Sequence, residues 1–393
     1  MDIEQFRDSP SGRLLKGVGG YWAFVPHPMP PPLDFTPELV SALSEADRAL
    51  GELAGIGRTL PNPYLLIRPF VRREAVLSSR IEGTQASLAE LFAYEVQQLP
   101  LSGIGRPSVK SDLLEVANYV RASEYGLERL NSLPLSLRLI RELHGRLMEG
   151  VRGEHLTPGE FRRRQNWIGS HGCTLDEATF VPPPVPEMNE ALDALEKFLH
   201  APSQLPPLLR IALIHYQFEA IHPFLDGNGR IGRLLITLLL TEGGILSQPL
   251  LYLSAYFEKH RQEYYDRLLA ISQQGDWKGW LTFFFRGVAE QAHDAVARSQ
   301  RLQDLQRRYR AKFQVARSSA LLLKLVDEVL ETPFLTLAWA QKRLDITHRS
   351  AQLNVEKLIG EGILREVTGR RRNRLFVADE VLRTVEEPLG GNP

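Results

Sequence analysis

The sequence predicts a mainly α-helical protein with one short β-hairpin in its middle and a small α+β module at its C-terminal end. Three observations predict it. Apolar residues recur at helical spacing through most of residues 36–312, with caps and breaks between the runs. Only "QNWIGSHGCTLDEATFVPPP", residues 165–184, offers short β-prone pieces around a glycine-containing turn. Residues 336–378, "TLAWAQKRLDITHRSAQLNVEKLIGEGILREVTGRRRNRLFVA", read as helix, tight turn, helix and a two-stranded hairpin around Gly369, the order of a winged helix-turn-helix.

Taken in order, residues 17–37, "GVGGYWAFVPHPMPPPLDFTP", are dense in Gly and Pro and predict an extended arm without helix. Thr36 then caps a helix, with Pro37 in its first turn. After a Pro-rich break over Leu60–Tyr64, "LLIRPFVRREAVLSSRIEG" and "SLAELFAYEVQQL" are helical, and two more helices occupy Lys110–Leu130 and Leu135–Glu149. The hairpin pairs Asn166–Ile168 with Ala178–Val181, and a helix starts near Pro186. "PPLLRIALIHYQFEAI" is apolar all round and reads as buried. "SAYFEKHRQEYYDRLLAISQQGDW" and a long helix over Trp277–Lys312 complete the main body. In the tail, Trp339, Leu344, Ile346, Leu353, Val355 and Leu358 are the expected core.

Bulk properties exclude little. At 393 residues there is room for two or three domains, and 47 charges of each sign cancel, so a nucleic-acid partner needs a local basic patch. One cysteine, Cys173, excludes an internal disulfide and a cysteine metal cluster; His171 and Cys173 alone make no metal site. The N-terminus has no secretion signal, and the most apolar run, interrupted by Arg233 and Glu242, is too short to span a bilayer. A soluble protein of the reducing cytoplasm, without a membrane partner, is expected.

The chemistry concentrates in "HPFLDGNGRIGR", residues 222–233. Pro223 ends the incoming helix at His222. Gly227 and Gly229 let backbone amides approach an anion at the positive end of the next helix. Arg230 and Arg233, three apart, share a face and can reach that anion. Asp226 is a hard oxygen ligand suited to Mg²⁺, and His222 is a base for an incoming hydroxyl. Phe224 anchors the turn in the core.

This stretch resembles the signature of Fic (Fic/DOC) proteins at His222, Phe224, Asp226, Gly227, Asn228, Gly229, Arg230 and Arg233. The resemblance implies a Fic-type helical bundle with a β-hairpin flap and a nucleotidyltransferase activity, moving AMP from ATP, with Mg²⁺, onto a Ser, Thr or Tyr hydroxyl of a target protein, the enzyme itself among the candidates. His222 would be the base and Asp226 the metal ligand. Gly227–Gly229, including Asn228, would bind the α-phosphate region, with Arg230 and Arg233 toward the β- and γ-phosphates. The Doc branch, which transfers phosphate, carries lysine at the place of Gly229, so this chain looks like the nucleotidyl-transferring branch. By family position Tyr256 and Tyr264, beside Tyr265, contact the nucleotide, and Ala178, Thr179 and Phe180 form the flap that docks target peptide by strand addition.

A second resemblance lies upstream. Ser78 and Glu82 are four apart on one helix face, and Gly83 is a helix stop. A carboxylate at a helix C-terminus is disfavoured unless a cation meets it. "SSRIEG" resembles the Fic inhibitory motif, whose glutamate pairs with the second arginine, here Arg233, and blocks the γ-phosphate. The domains implied are 1–105, an arm and helical region with the inhibitory motif; 106–315, the Fic core; and 316–393, the winged helix.

Between Phe334 and Ala378 nine Lys/Arg stand against four Asp/Glu. Arg349 and Gln352 on the second helix, with Arg370, Arg371, Arg372 and Arg374 on the wing, are candidate DNA contacts; protein docking is the alternative. Three functions compete: an autoinhibited adenylyltransferase, a DNA-binding regulator with a nucleotide-sensing core, and an enzyme that removes AMP. The target and donor base are open, as is oligomeric state, a homodimer included.

Overall fold

The computed structural model describes residues 1–60, 62–97, 111–151, 153, 155–170, 172–314, 320–370 and 372–387. The expected domain boundaries at 105/106 and 315/316, and the residues His171 and Arg371, lie outside them.

A 3-10 turn over Ile3–Phe6 leads into an antiparallel hairpin of β1 (Gly12–Lys16) and β2 (Trp22–Pro26), with Leu14 opposite Phe24. This corrects the expected arm. Gly19 and Gly20, at φ +103° and +91°, make the turn, and the surrounding glycines and prolines hide two five-residue strands in the sequence.

Among the described residues eleven helices follow through the body: α1 (Pro37–Thr59), α2 (Tyr64–Ile81), α3 (Leu88–Gln97), α4 (Ser111–Arg129), α5 (Leu137–Leu147), α6 (Val185–His200), α7 (Pro207–Ile221), α8 (Asn228–Glu242), α9 (Ser254–Lys259), α10 (Arg261–Gln274) and α11 (Trp277–Gln314). The Thr36 side chain accepts from the Leu39 amide and caps α1, which lies along α11. α7 and α8 pack on each other around the turn that carries the motif, and α7 is buried on nearly every side. The segment from Ser254 breaks at His260 into α9 and α10.

The mid-chain hairpin is smaller than expected, a single bridge between Ile168 and Phe180. Local turns consume the backbone groups a longer ladder would use. Cys173, Glu177 and Ala178 donate to the carbonyls of Ser170, Thr174 and Leu175, and Glu177 takes both the amide and hydroxyl of Thr174 at 2.9 Å.

The C-terminal unit comprises α12 (Ala320–Glu331), β3 (Phe334–Thr336), α13 (Leu337–Leu344), α14 (His348–Gly360), β4 (Arg365–Glu366), β5 (Leu375–Val377) and α15 (Asp379–Glu386), with sheet order β3-β5-β4. Thr336 and Thr347 cap α13 and α14. Leu353, expected in the core, is 43% exposed on α14, while Trp339, Leu344, Val355 and Leu358 are buried and Ile346 packs against them. The period of α14 puts Ala351, Asn354, Val355 and Leu358 inward, which turns position 353 to solvent. The unit is no free tail: α12 and α15 pack on α2, and β3 packs on α3.

Candidate active site

The loop between α7 and α8 is built by side chains that grip its backbone. His222 ends α7 at φ +49°, ψ +61°, a left-handed conformation uncommon outside glycine. Its carbonyl accepts from Arg162 Nε at 3.0 Å and from Asn166 Nδ2 at 3.1 Å, and Asn166 Nδ2 also reaches the Phe224 carbonyl at 2.8 Å. Asn228 closes a two-way bond with Phe224, accepting its amide and donating to its carbonyl, each at 2.8 Å. Asn228 is therefore spent on the turn itself. Phe224 is fully buried and stacks on His144 at 3.8 Å. His144 Nδ1 accepts from the Gly159 amide at 2.9 Å, so its Nε2 carries the proton and donates to the Asp226 carbonyl at 3.0 Å. Gly227, at φ +79°, then opens α8.

His222 Nδ1 lies 3.3 Å from the Glu219 carbonyl, which can only accept, so Nδ1 bears the proton and Nε2 keeps its lone pair. Burial pushes its pKa down to about 4, the Glu219 carbonyl opposing, so the imidazole is neutral at pH 7. A cavity of about 970 Å³ is lined by His222, Glu219, Gly229, Arg233, Glu82 and Tyr264, with Trp167, Ile168 and Thr179 at the hairpin.

Arg233 meets the residues expected of it. Its Nε donates to Ser78 Oγ at 2.9 Å, and one terminal nitrogen donates to the Ser78 carbonyl at 2.9 Å and to Glu82 Oε1 at 2.6 Å. The guanidinium is buried, while the Glu82 side chain is 35% exposed. Burial raises the Glu82 pKa, but the Arg233 charge and hydrogen bond outweigh it and leave the carboxyl below its ordinary value. The end of α2 explains the placement. Gly83, at φ +97°, donates to the Arg80 carbonyl and Thr84 to the Ser79 carbonyl, a Schellman stop that aims Glu82 off the helix toward α8. Gly229 leaves the room: a Cβ there would stand 2.3 Å from Glu82 Oε1.

Other expected residues are placed differently. Arg230 does not share a target with Arg233; it turns to Glu115 and Asp226, each at 3.4 Å, with its buried Nε unpartnered among the described residues. Tyr256 is away from the cavity, packed on His260 at 4.6 Å and Phe283 at 4.9 Å, because α9 and α10 are separate helices with different faces. Tyr264 lines the cavity but is buried, its hydroxyl donating to His215 Nε2 at 2.8 Å. Of the flap residues, Ala178 and Phe180 point inward, Phe180 onto Phe6 and Phe24, and the Val181 carbonyl is taken by the Phe24 amide at 2.9 Å. Thr179 is exposed, as are Trp167 and Ile168 across the bridge. In the C-terminal unit Arg349, Arg370 and Arg372 are exposed, and Gln352 bonds Glu356 at 2.8 Å. Arg374, just before β5, lies over Phe376 at 5.3 Å and 3.7 Å from Glu366.

Sequence reasoning passed over Arg162, Asn166, Glu115 and Glu219. His144 and His215 are buried and partnered, and each holds a motif carbonyl, that of Asp226 or of Gly232, at 3.0 Å. None stands in a recognisable spacing to the motif except Glu219, three before His222, so no sequence signal marked the others.

Residues 40–128 match the model for the Fic/DOC family N-terminal region, and residues 134–240 match the Fic/DOC family model. The chain belongs to the Fic/DOC family. The Ser78–Gly83 stretch falls inside the first Fic/DOC match and the His222–Arg233 motif inside the second. Residues 322–376 match a helix-turn-helix DNA binding domain model. Among curated relatives, protein adenylyltransferase Fic of Drosophila erecta is 28% identical over 185 residues, 45% of this chain and 34% of the relative. That of Drosophila virilis is 29% identical over the same length and shares. The chain thus spans about a third of the length of these relatives. A crystal structure of a Fic family protein from Desulfovibrio desulfuricans G20 aligns over 89% of this chain and 98% of its own, with a TM-score of 0.56 at 20% identity, so this Fic/DOC protein shares its fold. No described helix is long and apolar enough to cross a membrane.

Proposed function

We propose that this Fic/DOC protein is an adenylyltransferase that transfers AMP from ATP to a hydroxyl side chain of a target protein and is held inactive by Glu82. The observation that carries the reading is His222 with Nδ1 on the Glu219 carbonyl and Nε2 unpartnered among the described residues, in the cavity that Gly229 and Arg233 also line. The hydroxyl gives its proton to Nε2, its oxygen forms the bond to the α-phosphorus, and the bond from that phosphorus to the β-bridging oxygen breaks, releasing pyrophosphate. The α8 N-terminus and Arg233 bind the phosphates.

Asp226 is the residue to hold Mg²⁺. Its carboxylate is 38% exposed, with Oδ1 accepting the Gly227 amide at 2.6 Å, a hard oxygen donor that suits an ion shared with nucleotide phosphates and water. Such an ion supplies charge neutralisation on the phosphates. Glu82 on Arg233 occupies the place of the γ-phosphate, and Trp167, Ile168 and Thr179 form the exposed lip for the target.

Intact-mass measurement after incubation with ATP and Mg²⁺ tests the reading. Glu82→Gly gains AMP faster than wild type, and His222→Ala gains none; addition of phosphate, or unchanged modification in His222→Ala, contradicts it.

The match to a DNA binding domain, together with exposed Arg349, Arg370 and Arg372, favours a second property, duplex DNA binding through α14 and the wing. In a gel-shift titration, Arg370→Ala/Arg372→Ala weakens binding and lowers its salt dependence. Absence of binding by the wild type at low salt removes this property and leaves the transferase untouched.

A further inference from the structure

Helix α2 is held at more than its inhibitory end. At its start, Glu331, the last residue of α12, accepts from Asn62 Nδ2 at 2.9 Å and pairs with Arg68 at 3.3 Å. The Glu331 carboxyl is 7% exposed, so this contact lies inside the seam between the C-terminal unit and the Fic body. Midway, Arg73 reaches Asp294 of α11 at 3.5 Å, and Asp294 is fixed by both forks of Arg298 at 2.7 and 3.0 Å. The buried Arg298 also donates to the carbonyls of Thr384 and Val385, each at 2.9 Å, in the last turn of α15. Carbonyls there lack intrahelical donors, and a guanidinium at the negative end of the dipole satisfies them. Two attachments, one direct and one relayed through α11, therefore run from the C-terminal unit to the helix whose far end carries Ser78 and Glu82.

We propose that the C-terminal unit is a clamp that seats the inhibitory helix, so that displacing the unit lets Glu82 leave Arg233. The proposal rests on the autoinhibition reading above. Although Pro69 withholds an amide from the Leu65 carbonyl, α2 stays helical through it from Tyr64 to Ile81, and Glu74, Ser78 and the C-cap Glu82 follow four apart on its inward side. Glu74 is bonded by the Tyr119 and Ser254 hydroxyls, which gives the helix a buried bearing between its clamped start and its latch. A shift at Arg68 is carried along such an element to the other end. Linkage makes the coupling reciprocal: whatever loosens the clamp favours nucleotide seating, and seated nucleotide loosens the clamp. A ligand on α14 or the wing is one way to displace the unit, and the clamp does not depend on that ligand being DNA.

The test uses the full chain. Glu331→Gln and, from the opposite side, Arg68→Gln are incubated with labelled ATP and Mg²⁺ beside wild type and Glu82→Gly, and amide hydrogen exchange across α2 is followed in the same samples. Loss of one partly exposed pair raises auto-modification about 2- to 5-fold, with faster exchange at Ser78–Glu82 and no further rise when Glu331→Gln is added to Glu82→Gly. A globally unfolded variant loses modification, so a gain cannot come from misfolding. Wild-type modification and exchange in both clamp variants, with Glu82→Gly activated, overturn the clamp and leave the autoinhibition standing. An inactive Glu82→Gly overturns both.

Discussion

His222 combines two departures from ordinary behaviour that serve one end. Its left-handed backbone, at a cost of about 1 kcal/mol for a residue with a Cβ, turns the α7 terminus sharply into the loop, and the bonds of its carbonyl to Arg162 and Asn166 hold it there. The same burial holds the imidazole neutral. Because the folded pKa is pushed down to about 4, the base form persists as pH falls through 6.5. In Glu82→Gly, kcat/KM should therefore show no acid limb from His222 until about pH 5 or below; a limb centred near the ordinary histidine value of about 6.5 contradicts the environment described for it. Glu82 is shifted in the same direction for another reason: the Arg233 charge and hydrogen bond outweigh burial and leave its carboxyl below the ordinary value, so its hold on Arg233 is present at neutral pH and is lost as pH falls through that lowered value.

At the scale of elements, three glycines mark the start of α8, one as its N-cap and two in its first two turns, with a different reason for each. Gly227 supplies the positive φ at the turn, Gly229 admits the Glu82 carboxylate, and Gly232 admits that of Glu219. A Cβ at 232 would stand 2.1 Å from Glu219 Oε1, a buried atom without a hydrogen-bond partner among the described residues. Burial raises the Glu219 pKa to about 7, opposed by Arg233 and reinforced by Glu82, so near neutral pH the carboxyl is only partly ionised. Gly232→Ala should lower stability by about 1–3 kcal/mol, read as a fall in Tm; an unchanged melt means that Glu219 has a second position.

The helices themselves were legible because they carry period and punctuation. Thr36 before Pro37, Gly83 after Glu82 and Pro223 after His222 mark ends that the structure keeps. The β1–β2 hairpin was not, since five-residue strands inside a Gly- and Pro-rich segment leave no period to count. The Glu82–Arg233 contact was legible only through resemblance; no local signal joins residues 151 apart in sequence. Asn166 and Arg162 were invisible for a related reason: their work is done on backbone carbonyls, which leave no residue pattern behind.

Across the whole molecule, the sequence suggested a catalytic body and a separate C-terminal module, and the packing joins them. Apart from a small group of Ala23, Ala178 and Val181, the buried hydrophobic residues among those described run as one cluster from Phe6 to Val385, through α2 and α12. Composition could not show this, because the seam is made of scattered partners such as Arg68 with Glu331 and Arg298 with the α15 carbonyls. Helix α2 lies between Arg233 and the C-terminal unit, and under the clamp proposal restraint of the site and placement of that unit are coupled. The central claim is that this site transfers AMP and that Glu82 restrains it. Intact mass of Glu82→Gly, alone and combined with His222→Ala, after incubation with ATP and Mg²⁺ tests it most directly. The account predicts AMP added to the single variant faster than to wild type and none on the double variant. Equal modification of Glu82→Gly and wild type, or modification that survives loss of His222, would contradict it.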